Sequence, residues 1–167
     1  MTHGLKDHTQ TSQEHWCKLD TIHFVSHTYK RFYIYAVIDT FSRIAYAEYQ
    51  PRISTKVTSE VMQRALTYFQ FPVSVVQTDH GQEFGEYLEH ILKEQKIRLR
   101  HIRIRKPNDN AHIERFNRTI QEECFNFLFP NVATIEQKIA SYIDFYNTKR
   151  LHLGIQCLTP RQMLPRS

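Results

Sequence analysis

The stretch Val73-Ser74-Val75-Val76-Gln77-Thr78-Asp79-His80-Gly81 decides how this chain should fold. The β-branched run predicts a strand, and the acidic residue and glycine after it predict a tight exit into a helix over about 82–95. Open α/β sheets bind ligands beside the carboxyl ends of such strands. Asp79 is therefore a candidate site residue, and we expect Gly81 to supply backbone freedom for the turn.

The other elements follow from hydrophobic patterning on both sides of this unit. Runs rich in apolar and β-branched residues predict four further strands, at 16–25, 32–38, 44–49 and 97–104. Apolar residues spaced by three and four predict three further helices, at 55–69, 110–128 and 135–147. The order β-β-β-α-β-α-β-α-α predicts an α/β fold, with a mixed sheet and helices on both faces.

Length and charge bound the class of protein. The chain has 167 residues, enough for one ordinary domain and short for two. Its net charge of +5 points toward a polyanionic partner, and an ordinary basic surface is an equally open alternative until the charges are located. No apolar run approaches the roughly 20 residues of a membrane span, so we expect no membrane partner. A polar N-terminal tail is predicted at 1–15, ahead of a folded core at 16–167.

The cysteines indicate the redox environment. Cys17, Cys124 and Cys157 lie far apart and form no C-x-x-C pair, which disfavours a disulfide framework or a zinc site. We expect a reducing, cytoplasmic location and expect all three to be small buried hydrophobic residues.

Three carboxylates occupy positions with no evident structural need for one. Asp20 interrupts a predicted strand, Asp79 ends another, and Glu114 lies in the first turns of a helix, where the dipole favours an ionised group. If they converge they repel one another, and a hard divalent cation such as Mg²⁺ or Mn²⁺ is the partner that oxygen ligands favour. A glycosidase-type pair of acids is an alternative that the third acid disfavours.

Polar and basic residues surround Glu114. Asn110, Asn117, Arg118 and Gln121 form a polar stripe beside it, and Arg115 could pair with a phosphate or with a neighbouring acid. Seven cations lead into this helix along the predicted last strand: Lys93, Lys96, Arg98, Arg100, Arg103, Arg105 and Lys106. They fit phosphate contacts better than an ordinary solvated strand face.

Several motifs together resemble the catalytic core of retroviral-type integrases and bacterial insertion-sequence transposases, the DDE polynucleotidyl transferases of the RNase H-like fold. The resemblance runs from about Trp16 to Leu164. Its motifs are Trp16-Cys17-Lys18-Leu19-Asp20-Thr21, Tyr35-Ala36-Val37-Ile38-Asp39-Thr40-Phe41-Ser42-Arg43, Gln77-Thr78-Asp79-His80-Gly81-Gln82-Glu83-Phe84, the stretch 106–123, Tyr146-Asn147-Thr148-Lys149-Arg150-Leu151-His152 and Leu158-Thr159-Pro160.

The resemblance implies a five-stranded sheet with Asp20 and Asp79 on neighbouring strands. It also implies metal-dependent DNA strand transfer or phosphodiester cleavage, in integration or transposition. Asp20, Asp79 and Glu114 would hold Mg²⁺ or Mn²⁺, and two such ions would activate water or a DNA 3′-hydroxyl. A homodimer or higher homo-oligomer is expected. The DNA contacts that the resemblance and the stripe suggest are Lys106, Asn110, Arg115, Asn117, Arg118 and Gln121.

Some alternatives stay open at this point. Asp39 is a rival first acid, although its place before Thr-Phe-Ser-Arg reads as the turn of a hairpin. Gln121 stands where family members often carry Lys or Arg, and Arg118 could substitute for it. A catalytically silent DNA-binding or dimerisation module and an RNase H-like nuclease are therefore the alternative functions.

Overall fold

The computed structural model describes residues 14–26, 28, 30–102, 110–126 and 131–165. The strands are β1 (His15–Val25), β2 (Arg31–Asp39), β3 (Ala45–Gln50), β4 (Val73–Thr78) and β5 (Arg98–His101). The α-helices are α1 (Thr55–Phe69), α2 (Glu86–Glu94), α3 (Ala111–Thr119) and α4 (Ile135–Thr148). Short 3₁₀ turns cover Gln82–Phe84, Leu153–Ile155 and Pro160–Met163, and a π-helical turn covers Ile120–Cys124.

The strands form one five-stranded sheet in the order β3-β2-β1-β4-β5. The pairs β1–β2 and β2–β3 are antiparallel, whereas β1–β4 and β4–β5 are parallel. The hairpin is therefore followed by two crossover units, each with a helix between parallel strands. This arrangement confirms the predicted mixed sheet and the predicted order of elements.

Two hydrophobic cores cover the two faces of the sheet. The α3 and α4 side buries Ile34, Ala36 and Ile38 of β2, whereas the α1 and α2 side buries Tyr35 and Val37. Strand β2 therefore alternates between two apolar faces, which explains why its sequence is continuously apolar. Burial of a side chain of the size of Ile34, Ile38 or Val37 contributes about 1.5–3 kcal/mol.

The helix predicted over 82–95 is interrupted. A 3₁₀ turn ends at Phe84, and α2 begins only after Gly85. A Cβ atom on Gly85 would lie 3.3 Å from Thr55 Cγ2, so the glycine allows a close approach to the start of α1. The break thus has a packing cause that hydrophobic spacing did not reveal.

The helix predicted over 110–128 also changes character along its length. It is α-helical to Thr119 and then widens into the π-helical turn, in which the N–H of Phe125 donates to the carbonyl of Ile120 at 3.3 Å. The extra residue in this turn brings both Cys124 and Phe125 into the core, where they are 4% and 1% exposed. Position 127 lies outside the described residues.

Two smaller expectations also need correction. Cys17 and Cys124 are buried as predicted, but Cys157 is exposed. It follows the short turn Leu153–Ile155, where Ile155 rather than Cys157 is buried. The last strand, expected over 97–104, begins at Arg98 and ends at His101, because its pairing with β4 stops where β4 itself ends. Positions 103 and 104 lie outside the described residues. Among the described residues, no helix is long and apolar enough to span a membrane.

Residues of the C-terminal motifs join the last helix to the edge strand β3 and to the π-helical turn. Asn147, at the end of α4, accepts a hydrogen bond from the N–H of Ala45 at 2.9 Å and donates to its carbonyl at 2.8 Å. Arg150 forms a bidentate ion pair with Glu123 of the π-helical turn. Thr159 and Gln162 close a reciprocal capping box on the final 3₁₀ turn.

Candidate active site

Parallel pairing brings Asp20 and Asp79 to the same edge of the sheet. Lys18 of β1 pairs with Gln77 of β4, and each aspartate lies two residues further along its own strand direction. Asp79 is the first residue after β4, at its carboxyl end. The neighbouring-strand placement predicted for the two acids is therefore confirmed, and their carboxylate oxygens are donors that suit a hard divalent cation.

Two neutral groups hold the Asp20 carboxylate. The N–H of Thr21 donates to Oδ1 at 2.8 Å, and the Asn117 amide of α3 donates to Oδ2 at 2.7 Å. Burial raises the pKa of Asp20; these two hydrogen bonds oppose the rise, and the negative charges of Asp79 and Glu83 add to it. Asp20 is thus a half-buried acid whose ionised form lies close to other negative charge.

A compact turn fixes Asp79 after β4. Its Oδ1 accepts a hydrogen bond from the N–H of Gly81 at 2.8 Å. Its carbonyl lies 3.0 Å from Nδ1 of His101 at the end of β5, and the rings of His80 and His101 stack 5.2 Å apart. These contacts orient the loop at the carboxyl end of the sheet.

Glu83 is an acid that the sequence interpretation missed. A Cβ atom on Gly81 would lie 2.6 Å from Oε2 of Glu83 and 3.0 Å from Oδ1 of Asp79, so the two carboxylates lie beside each other over Gly81. The spacing of four residues between Asp79 and Glu83 was the available signal. It was overlooked because Glu83 reads as an ordinary exposed residue at the start of a helix.

Glu114 lies in the first turn of α3 and is exposed. Asn117, three residues later and so on the same side of the helix, is the α3 residue that reaches Asp20. Within the described ranges, however, no three His, Cys, Asp or Glu side chains are grouped closely enough to hold a metal ion. The structure thus brings Asp20 and Asp79 together but does not bring Glu114 into a shared ligand set with them.

Two of the predicted DNA contacts make bonds within the chain. Asn117 donates to Asp20, and its Oδ1 is buried without a hydrogen-bond partner in the described part of the chain. Gln121 donates from Nε2 to the carbonyl of Asn117 at 3.1 Å, where the π-helical turn begins. Gln121 therefore supports the helix backbone that carries Asn117.

Among the described residues, the side chains of the other predicted DNA contacts are less constrained than those of Asn117 and Gln121. Arg115 and Arg118 are exposed on α3, and the carbonyl of Asn110 accepts the N–H of Glu114 at 3.1 Å. Lys106 lies outside the described residues, as do Arg103 and Arg105.

The described part of the basic run lies on and beside β5. Lys93 and Lys96 are exposed, Arg98 pairs with Glu14 at 3.0 Å, and the Arg100 guanidinium lies 5.5 Å from the ring centroid of Trp16. The aromatic contact holds Arg100 against the sheet, whereas the exposed lysines extend into solvent.

The rival acid Asp39 is used inside the hairpin turn. It is fully buried, and its Oδ2 accepts hydrogen bonds from the backbone N–H of Ser42 at 2.8 Å and from the Ser42 hydroxyl at 2.6 Å. The same oxygen lies 2.9 Å from Nδ1 of His15. Asp39 pairs with Cys17 in the sheet, toward the opposite end of β1 from the Asp20 edge.

Sequence comparisons identify the family. The integrase core domain model matches residues 10–107, and a second integrase core domain model matches residues 95–160. The putative transposase InsK for insertion sequence element IS150 of Escherichia coli (strain K12) is 29% identical over 137 residues, which are 78% of this chain and 48% of that protein. The putative integrase ORF3 of Spiroplasma virus SpV1-C74 is 24% identical, over 88% of this chain and 46% of that protein. The chain thus spans about half the length of the curated relatives it matches.

Solved structures share the fold. The HTLV-2 integrase catalytic core domain, solved in complex with magnesium, has a TM-score of 0.73 at 17% identity and covers 90% of this chain and 95% of its own. A chain of the simian T-cell lymphotropic virus intasome, solved in complex with the PP2A regulatory subunit B56 gamma, has a TM-score of 0.78 at 18% identity, over 92% of this chain and 55% of its own. These likenesses confirm the RNase H-like sheet. With an integrase core model covering more than half of its residues, the chain belongs to the integrase core family.

Proposed function

We propose that this chain is the catalytic core of a DDE-type polynucleotidyl transferase that cleaves and joins DNA in integration or transposition. The observation that carries the proposal is that Asp20, in the middle of β1, lies beside Asp79, at the end of the adjacent strand β4, in a member of the integrase core family. Relatives described as a transposase and an integrase support the substrate class.

In this proposal Asp20 and Asp79 hold a divalent cation, and Glu114 joins them from the first turn of α3. The donor set fits Mg²⁺ or Mn²⁺, because each candidate ligand offers carboxylate oxygens at a solvent-accessible edge. When bound, the ions supply the positive charge that activates an attacking oxygen and stabilises the leaving oxygen of a phosphodiester. The HTLV-2 core, which shares the fold, is described in complex with magnesium.

The chain's own residues position these groups. Asn117 orients the Asp20 carboxylate through its 2.7 Å hydrogen bond, and Gln121 braces the Asn117 backbone. Arg115, Arg118 and the exposed lysines beside β5 would contact DNA phosphates, which adds a salt-dependent term to affinity. We also propose that the protein works as a homodimer or higher homo-oligomer on DNA, in line with the dimeric form described for the HTLV-2 core.

The direct test is a strand-transfer assay with end-sequence DNA in Mg²⁺ or Mn²⁺. Asp79→Asn should lower nicking and joining by about a thousandfold or more, because a metal ligand loses its charge while the shape of the side chain is kept. Asp144→Asn, an exposed acid on α4, is the matched control and should be fully active. Equal activity of Asp79→Asn and the wild type would refute the proposal, and cleavage of RNA–DNA hybrids without end joining would support an RNase H-like nuclease instead.

A catalytically silent DNA-binding module is the second candidate. It is favoured by Gln121, which stands where family members often carry Lys or Arg, and by the absence, within the described ranges, of a complete three-ligand group. Calorimetric titration with Mn²⁺ separates the two: clear binding that disappears in Glu114→Gln supports a competent site, and no binding in the wild type supports the silent module.

A further inference from the structure

The Glu83 carboxylate has no structural use within the described ranges. No hydrogen bond or ion pair is formed by its oxygens there, although the side chain is half-buried. It lies instead over Gly81, beside Oδ1 of Asp79. A carboxylate held beside a second one without a compensating contact is costly unless a cation joins them.

The glycine between the two acids fits this interpretation. Gly81 has φ −61° and ψ 143°, a conformation open to any residue, so the expectation that it supplies backbone freedom is wrong. What the position lacks is room: a Cβ atom would lie 2.6 Å from Oε2 and 2.8 Å from Cδ of Glu83. Gly81 therefore makes space for the Glu83 carboxylate to lie against Asp79.

The negative charge of Glu83 also affects Asp20 on the neighbouring strand β1. Burial raises the pKa of Asp20, and the negative charges of Asp79 and then Glu83 contribute to the rise. Glu83 thus acts electrostatically on Asp20, whereas Glu86, three residues later, lies on the exposed first turn of α2.

We infer that Glu83 is a further carboxylate of the metal centre, which adds an oxygen donor and a negative charge beside Asp79. This inference rests on the proposed function, since it assigns Glu83 to the cation that Asp20 and Asp79 would hold. Mg²⁺ and Mn²⁺ keep part of their water shell in proteins, so Glu83 can act directly or through water. Partners of this kind typically change metal affinity by about 10–100-fold.

The test is Mn²⁺ binding to the full chain without DNA, followed by the loss of the electron paramagnetic resonance signal of free Mn²⁺. Glu83→Gln should weaken binding by about tenfold. Gly81→Ala should weaken it similarly, because the new methyl group displaces the flexible end of Glu83. Glu86→Gln, the matched control, should bind as the wild type does, and none of the three variants should unfold at a lower temperature than the wild type by circular dichroism.

Asp79→Asn in the same titration separates the two proposals. If Glu83→Gln binds Mn²⁺ as tightly as the wild type while Asp79→Asn loses binding, the inference about Glu83 is overturned and the proposed function stands. If neither variant changes the affinity, both are wrong. A tenfold loss in Glu83→Gln, with a larger loss in Asp79→Asn, supports both.

Discussion

Helix α3 and the π-helical turn that follows it hold carboxylates in opposite ways. In its last turn, α3 presents Asn117 to Asp20, and burial together with nearby negative charge raises the pKa of that acid. The π-helical turn presents Glu123 to Arg150, whose guanidinium lowers the pKa of Glu123 through two short hydrogen bonds of 2.6 and 2.8 Å. Asp20 therefore lies near other negative charges, whereas Glu123 is paired with a positive charge.

This difference distinguishes an acid suited to a functional site from an acid that stabilises the fold. Glu123 also accepts a 2.8 Å hydrogen bond from the Tyr142 hydroxyl of α4, so its contacts tie three segments together. Asp20 ties α3 to β1 through only a neutral amide, and its charge is opposed by Asp79. Groups that destabilise the fold in this way are typical of positions retained for function.

The largest stability effect should come from Asp20→Asn. The variant should be more stable than the wild type by about 1–2 kcal/mol at pH 7, because it removes a half-buried charge that neighbouring acids repel. The folded-state pKa of Asp20 is raised, so the wild type loses stability as pH rises through that pKa. The gain should therefore vanish below the ordinary value near 3.8.

Urea unfolding of the two proteins across this pH range measures the effect. Asp144→Asn, on the exposed face of α4, serves as the control and should give no gain. A variant that is less stable than the wild type at neutral pH would show that Asp20 is a structural acid like Glu123.

Glu123→Gln should have a smaller effect of opposite sign. We expect a loss of about 0.5–1 kcal/mol at pH 7, because the ion pair with Arg150 is bidentate but partly exposed and therefore screened. The folded-state pKa is lowered, so this contribution is present above the ordinary value of 4.5 and is lost as pH falls through the folded pKa. As the pH falls, the gain in unfolding free energy from Asp20→Asn and the loss from Glu123→Gln should both approach zero.

Chemical denaturation again provides the measurement, with Glu122→Gln as the neighbouring exposed control. An unchanged midpoint for Glu123→Gln would mean that the ion pair between Arg150 and Glu123 contributes nothing measurable to stability. The contrast between the two acids would then rest on Asp20 alone.

The smallest effect on stability is expected for Gln121→Lys. The hydrogen bond to the Asn117 carbonyl is lost, at a cost of about 0.5–1 kcal/mol or less, because the Ile120 N–H also donates to that carbonyl. The new cation should strengthen DNA binding and steepen the dependence of log K on log salt by about one. Fluorescence anisotropy at several salt concentrations tests this, and an unchanged slope would show that position 121 does not face DNA.

Sequence patterning predicted most of the fold because its signals are local and periodic. The alternation in β2 and the spacing of Ile113, Phe116 and Ile120 each report burial directly. The π-helical turn and the break at Gly85 were not predictable in this way. The break depends on packing against Thr55, and the turn places Phe125 against Phe24 of β1; both partners are distant in sequence.

The candidate site was only partly readable for the same reason. Asp20 could be matched from its motif, and Asp79 from its motif and its place at a strand end. The bond from Asn117 to Asp20 joins residues 97 positions apart, and no spacing rule reports it. The place of Glu83 beside Asp79 could not be predicted, because it depends on the space that Gly81 leaves in the folded turn.

The double hydrogen bond between Asn147 and Ala45 has a consequence for solubility. Strand β3 lies at an edge of the sheet, and unpaired backbone groups on such an edge can template aggregation with another chain. The Asn147 amide offers one donor and one acceptor to the first residue of β3, as a neighbouring strand would. A side chain of α4 thus caps the sheet at this point and closes the start of β3 to intermolecular strand addition.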